Sequence, residues 1–597
     1  MRLIVDIETN GFLDVLDTIH CIVAYDIHAK KTFRFGPTEI DRAVTFLEQA
    51  SELIAHNGIT FDVPAIQKLY PDFKCPKVTD TLVCSRLLWS DLVRIDWAAE
   101  PINLPTKRYG SHSLEAWGYR LGEYKGDYGK QESAWDVYTE EMMVYCEQDV
   151  KVTNLLFNKI ASARYSPKAL RLEHTVAELM WKMEQNGFIF DEKKAASLYV
   201  DLAAQRAEIY QDLHTIFPPW IVRAGVQTPK RTVKYRDPLK ADRHAGAEFT
   251  VIKIVEFNPA SRDHIANRLM VKYDWKPTVF TENKKAKIDE TVLSKLQYPE
   301  AQRIARYFML QKRIGQLSEG NNGWLKLVKK GKLHGRVNPN GAVTGRATHQ
   351  NPNLGQVPSL SSEYGKECRD LFTVPKGWKL MGADASGLEL RCLAHYMHRY
   401  DDGEYVDVVL NGDIHTVNQI AAGLPSRAAS KRFIYSYLYG GGDQLVGEIV
   451  GGGAKEGKKI KKEFLDKTPA LKSLREAVVT AASAGYIVAL DGRRIAIRSP
   501  HAALNSLLQS AGALICKQWL VEFEAAMWMQ GYTHGWKGDY CLCAWVHDEI
   551  QVAVREDIAE KVGNIAVQTI QKVTEVFNLK CPLDGEFNIG NSWAETH

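Results

Sequence analysis

The spacing of apolar residues changes several times along this chain, and each change marks an element. Near the start, "RLIVDI" at 2–7 has the unbroken β-branched character of a buried strand, and "ELIAHN", ending at Asn57, reads the same way. Through "GITF" the chain reaches Asp62, where a helical pattern starts, and a longer helix is predicted over about 139–163. "RYSPK" at 164–168 breaks that pattern and opens another helix, which runs to "QNGF" at 185–188, where Asn-Gly marks its end. Much later, "WKLMGADASGLELRCLAHY" predicts a strand ending at Asp384 and a helix opened by Gly387. "RAASKRFIYSYLYGGG" predicts one helix carrying Arg427, Lys431, Tyr435 and Tyr439 four residues apart. "SPHAALNSLLQSAGALICKQWL" predicts a mostly apolar helix whose polar stripe is His501, Asn505 and Gln509. Finally, "CLCAWVHDEIQVAV" at 541–554 reads as two strands of a hairpin with "HDE" at the bend.

Strands and helices thus alternate at first and mix later, and 597 residues exceed what one core supports, so three or four domains are expected. Ten cysteines include no C-x-x-C pair, which fits a reduced chain without a zinc site. No basic region followed by an apolar stretch opens the chain, and no run of about 18 uncharged apolar residues occurs, so neither export nor membrane spanning is expected. A net charge of +4 argues only weakly for a polyanion partner, but its distribution argues more strongly. Residues 223–243 hold seven Lys/Arg against two acids, and "KKGK" at 329–332 and "KEGKKIKK" at 455–462 add further basic clusters.

The strand patterns carry acids that a buried strand would normally exclude. Asp6 and Glu8 share one strand face, and two like charges so close call for a divalent cation. Asp62 starts a helix, and Tyr145 and Asp149 share a helix face four residues apart. Singly, each reads as a cap or a surface acid. Together, D-x-E, N-x-x-x-F-D and Y-x-x-x-D, in this order, resemble the three motifs of DEDDy 3′-to-5′ exonucleases. That resemblance implies that Asp6, Glu8, Asp62 and Asp149 hold metal ions and that Tyr145 orients the attacking water.

In the remainder, two cations followed by two aromatics suit a nucleoside triphosphate, with Asp413 and His415 upstream as further polar contacts. Amide side chains at 505 and 509 suit the minor-groove acceptors shared by all base pairs. "DASGLELR", R-x-x-x-K-x-x-x-Y and "VHDE" resemble motifs A, B and C of family A DNA polymerases. Longer runs, "NPNGAVTGRATHQNPNL", "RSPHAALNSLLQSAGALICK" and "AWVHDEIQV", with "GSHSLEAWGYRLGE" and "FNPASRDHI" upstream, look like the replicative polymerases of short-tailed, T-seven-like phages.

This resemblance spans nearly the whole chain. It implies an α/β and α+β multidomain fold, with an RNase H-like exonuclease domain at 1–163 and a right-hand polymerase after it. The thumb is expected at 164–335, the palm at 336–396 and 505–597, and the fingers at 397–504. Asp384 and Asp548 become the metal-bridging acids, with Glu549 beside them in a lesser catalytic role. Arg427, Lys431, Tyr435, Tyr439 and His415 are assigned to the nucleotide, and Glu389 to excluding a ribose 2′-hydroxyl. Tyr435 further implies weak discrimination against dideoxynucleotides. Arg346, Asn505, Gln509, His547, Lys312 and Arg313 are assigned to DNA. The implied cofactor is Mg²⁺, two ions per active site, with Mn²⁺ able to substitute. The implied partners are primer-template DNA, dNTPs, a phage helicase-primase and a single-strand binding protein, in the cytoplasm of a bacterial host. In one respect the sequence departs from the pattern: the thumb insertion, about 218–256, is shortened though still basic, which puts binding of host thioredoxin in doubt.

Overall fold

The computed structural model describes residues 1–99, 103–124, 126–131 and 133–597. They form two compact units: residues 1–189, 332–360 and 372–597 in one, and 190–331 with 361–371 in the other.

The first unit opens with a five-stranded sheet, β1 (Arg2–Thr9), β2 (Ile19–Asp26), β3 (Lys31–Phe35), β4 (Glu52–Ala55) and β5 (Lys77–Asp80), in the order β3-β2-β1-β4-β5. β1 is antiparallel to β2 and parallel to β4. Both faces of β1 are covered, which explains its unbroken apolar run. Leu3, Val5 and Ile7 enter one core cluster, whereas Ile4 packs with Met142, Met143, Cys146 and Val150 of helix α1 (Glu140–Ser162). Alternation therefore puts Asp6 and Glu8 on the face that meets α1. Thr139 caps α1 by accepting from the Met142 amide at 3.1 Å, and the helix ends where the sequence predicts.

Helix α2 (Pro167–Asn186) follows, capped by Ser166 and started by Pro167. Its Leu172, Val176, Leu179 and Met183 belong to the large core of the first unit, so the interval expected to form the thumb is divided, with 164–189 in this unit. That core is built on an antiparallel sheet of β6 (Trp378–Ala385), β7 (Tyr540–Val546), β8 (Glu549–Arg555) and β9 (Gly585–Gly590), ordered β7-β8-β6-β9. Helices α3 (Leu388–Asp401), α4 (Arg427–Leu438) and α5 (Ala503–Met529) pack around it.

Inside this core lie four ionic groups. Glu173 of α2 accepts from Lys517 of α5 at 2.5 Å and lies 2.6 Å from Arg493, whose guanidinium also reaches Asp491 at 2.7 Å. Two acids and two bases balance, so no net charge is buried. Residues 491–498 are also tied to the N-terminal part: Arg498 meets buried Asp91 at 2.7 Å, Ser166 donates to the Asp491 carbonyl, and the Arg494 amide donates to Tyr165 Oη.

The second unit has its own core, formed by Leu213, Phe217, Phe257, Ile265, Leu269 and Ile304. The shortened insertion forms a two-stranded ribbon, Trp220–Gln227 with Phe249–Val255, bulged between Arg223 and Gly225. One ribbon face leaves Ile221, Ile252 and Ile254 exposed, and the connecting residues 228–248 carry the basic cluster.

Candidate active sites

The five residues read at the N-terminal centre come from three elements: β1, the helix Asp62–Leu69, and α1, which carries both Tyr145 and Asp149. Asp6 and Glu8 project from β1 beside α1, Asp62 begins the helix Asp62–Leu69, and Asp149 lies on the β1-facing side of α1. Glu8, Asp62 and Asp149 are all buried. Burial, and then the charges of Asp80 and Asp149, push the Asp62 carboxyl up to about 7. Acids gathered and buried in this way form a donor set suited to divalent cations, which favour the charged form of a carboxylate. Tyr145, one turn before Asp149, is held by Tyr128 and Trp135, with ring centroids 5.7 and 6.0 Å away.

Three further residues escaped the sequence reading. Cys146 directs its thiol at the Asp6 carbonyl (3.4 Å) and Oδ2 (3.6 Å). Asp80 accepts from the amides of Asn57 and Ile59, fixing the turn that leads to Asp62. Phe12, four residues past Glu8, is 78% exposed in the loop between β1 and β2. Its position just after D-x-E was the available signal.

The second centre is set by strand register. Asp384, next to last in β6, lies directly opposite Glu549, the first residue of β8. The bend is thus only His547–Asp548, with His547 at φ +59° and the Ala385 amide donating to the Asp548 carbonyl at 3.1 Å. Glu549 is not at the bend but inside the sheet, buried, where it accepts from Trp593 Nε1 and Gln551 Nε2, each at 2.6 Å, and meets His597 at 3.0 Å. Asp384 and Asp548 remain half-buried. Burial and the charges of Asp548 and Glu549 push Asp384 up to about 7, while burial and Glu389 raise Asp548. This donor set also fits cations.

A cleft of about 280 Å³ adjoins these acids, lined in part by Arg346, Glu389, Tyr439, Asn505, Gln509 and Asp548. Tyr439 Oη donates to Glu389, its ring faces Arg346 at 5.7 Å, and its carbonyl accepts from Asn505 Nδ2 at 3.1 Å. Gln509 then donates to Asn505 at 2.8 Å, so one hydrogen-bonded chain joins Glu389 to α5. His501 does not extend that stripe along α5, because it occupies a separate single turn at 500–502. Tyr439 likewise follows α4 as its cap, since Gly440 at φ +75° cannot continue the helix.

Along α4, Lys431 is exposed and Arg427 Nε pairs with Asp413 at 2.8 Å. The Arg427 hydrogen bond holds Asp413 well below the usual carboxylate range. The His415 ring lies 6.4 Å from that of Tyr435, and burial followed by the charges of Arg427 and Lys431 lowers its pKa. In the second unit, Lys312 is exposed, but Arg313 is buried and donates to the Glu363 carbonyl and Gln316. A buried guanidinium committed to local acceptors departs from the expected DNA contact; in a helix, adjacent residues face different sides.

Comparison with known proteins places these centres in context. A family model described as DNA polymerase family A matches residues 235–595, and one for the RNase_H superfamily matches 3–161. The DNA-directed DNA polymerase of Enterobacteria phage T3 is 42% identical, covering 100% of both chains. That of Escherichia phage T7 is 41% identical over 99% of both. Among solved structures, the POL domain of Pol1 from M. smegmatis, in complex with DNA primer-template and dNTP, superimposes with a TM-score of 0.72 at 17% identity. That match covers 99% of this chain and 95% of the other.

Proposed function

The chain belongs to DNA polymerase family A, as a DNA-directed DNA polymerase with an N-terminal RNase H-like exonuclease domain, and from that premise we propose how its residues divide the work. The observation that carries the proposal is the sheet register that brings Asp384 beside the Asp548 bend, at the edge of a cleft lined by Glu389 and Tyr439.

Family A polymerases generally use divalent metal ions. Here Asp384 and Asp548 would hold two Mg²⁺ in one centre, and Asp6, Glu8, Asp62 and Asp149 two in the other, with Mn²⁺ as a substitute. When bound, such ions supply activation of the attacking oxygen and neutralise charge on the phosphate in flight. Glu549 would support Asp384 through the β6–β8 pairing, itself held by its Trp593 and Gln551 donors.

A dNTP would enter with its triphosphate toward Arg427, Lys431 and His415, exchanging the Arg427–Asp413 pair for phosphate contacts. Tyr435 would lie against the base or sugar. Glu389, held by the Tyr439 hydroxyl, would occupy the space of a ribose 2′-hydroxyl and so select deoxynucleotides. Arg346, Asn505, Gln509 and His547 would face primer-template DNA, with Lys312 on the backbone and Arg313 supporting the helix behind it. At the other centre, Tyr145 would orient water, and exposed Phe12 would stack on an unpaired 3′ base.

The palm would comprise 336–396 and 505–597, the fingers 397–504, and the thumb the second unit's residues 190–331, with the ribbon as its tip. Replication of a phage genome alongside a helicase-primase and a single-strand binding protein is the setting this reading favours, with thioredoxin set aside because of the short ribbon. Among the described residues no helix is long and apolar enough to cross a membrane. The test is extension of a labelled primer on a template, with and without chelator. Extension and 3′-end degradation should both stop on chelation and return with Mg²⁺; persistence of either in chelator would refute the metal assignment for that centre.

A further inference from the structure

Among the described residues, one group of three side chains brings metal-ligating atoms within 4.8 Å of one another: Asp6, Glu8 and Cys146. Two are the acids already discussed. The third is a buried cysteine one turn ahead of Asp149, and carboxylate-only chemistry has no use for it.

The geometry of the sulfur fits a shared ion. Zinc bond lengths of about 2.3 Å to sulfur and about 2.0 Å to a carboxylate oxygen, at a tetrahedral angle, put the two ligand atoms roughly 3.5 Å apart. Cys146 Sγ lies 3.6 Å from Asp6 Oδ2. The thiol has no competing ligand role elsewhere in the mechanism, and α1 fixes it through the packing of Met142, Met143 and Val150 beneath β1.

We infer that Asp6, Glu8 and Cys146 form a site for a thiophilic divalent cation, Zn²⁺ or Cd²⁺, inside the exonuclease centre. On binding, the Cys146 S–H bond is replaced by a sulfur–metal bond and one proton is released to solvent. Oxygen ligands alone favour Mg²⁺ and Mn²⁺, whereas a thiolate shifts preference toward softer ions. The consequence is selective: low Zn²⁺ arrests removal of 3′ ends by holding the ion in a geometry set by sulfur. Extension continues, because no comparable group of three gathers at Asp384 and Asp548 among the described residues. The inference rests on the reading that Asp6 and Glu8 hold a metal, and its test separates the two.

The full chain is titrated with Co²⁺ and followed by near-ultraviolet absorption. A sulfur-to-cobalt charge-transfer band is expected, abolished in Cys146→Ser and Cys146→Ala and displaced by Zn²⁺. The two variants guard against one of them unfolding, which circular dichroism would reveal. The Zn²⁺ concentration that halves 3′-end degradation should rise on the order of tenfold or more in Cys146→Ser, while that for extension stays put. Mn²⁺ binding, followed by spin resonance in the parent and in Asp6→Ala with Glu8→Ala, reports the carboxylates independently. Mn²⁺ bound at those acids with no sulfur band, or a band surviving both Cys146 variants, overturns the thiolate ligand alone. Absence of Mn²⁺ from those acids overturns both readings.

Discussion

The two acid centres reach similar electrostatics by different construction. At the polymerase centre, main-chain pairing does the positioning: Asp384 faces Glu549 across adjacent strands, and the Asp548 carbonyl accepts from Ala385. At the exonuclease centre α1 is held against the sheet mainly by packing of Met142, Met143 and Val150 against Ile4, with Asp149 on its buried side. Both arrangements lift one carboxyl to about 7, Asp384 in one and Asp62 in the other, chiefly by burial. A backbone ladder tolerates side-chain change nearby, whereas a packed helix passes every lost methylene on to its acids. The two centres should therefore fail differently.

The largest effect is expected from Asp384→Asn or Asp548→Asn. Loss of several kcal/mol of charge stabilisation corresponds to a fall in primer extension of roughly a thousandfold or more, with 3′-end degradation retained. Near-parent extension by either variant would end the assignment. Asp6→Ala combined with Glu8→Ala should do the converse, removing degradation of a mismatched end while extension persists. Continued degradation by that double variant would mean that the N-terminal acids are not the catalytic set.

The contrast in construction is tested most directly by Met142→Ala, which removes no acid. Truncating this fully buried side chain should cost about 2–5 kcal/mol locally and depress degradation far more than extension. Equal loss of both activities, at a temperature where the chain remains folded, would erase the distinction. Smallest is Glu389→Ala. It should leave dNTP addition within roughly tenfold while relaxing the preference for dNTP over rNTP by about one to two orders of magnitude, the range of a single lost steric or polar contact. Unchanged selectivity, measured by competition between the two nucleotides, would show that the Glu389–Tyr439 contact serves only packing.

Residues fixed by periodicity or by motif order were readable in the chain: the strand under Asp6 and Glu8, the span of α1, the strand end at Asp384 and the glycine opening α3. What could not be read depends on where a turn begins or on distant partners. Asp548 and Glu549 are neighbours in sequence, but a two-residue bend places one at the site and the other beneath Trp593. Arg313 looks like Lys312 until the helix face is known. Cys146 has nothing to distinguish it locally, since its meaning comes from a strand 140 residues earlier. The Glu173–Lys517 contact crosses 344 residues and no local pattern announces it.

That last separation sets a schedule for synthesis. Glu173 leaves the ribosome long before Arg493 and Lys517 exist, and at about 5–20 residues per second the delay is on the order of half a minute. During that interval α2 carries an acid destined for a dry interior but still solvated by water. The nascent chain cannot close its largest core until that charge is matched, so the N-terminal sheet is free to fold first and the remainder condenses late, around a set of four ionic groups completed only when Lys517 emerges.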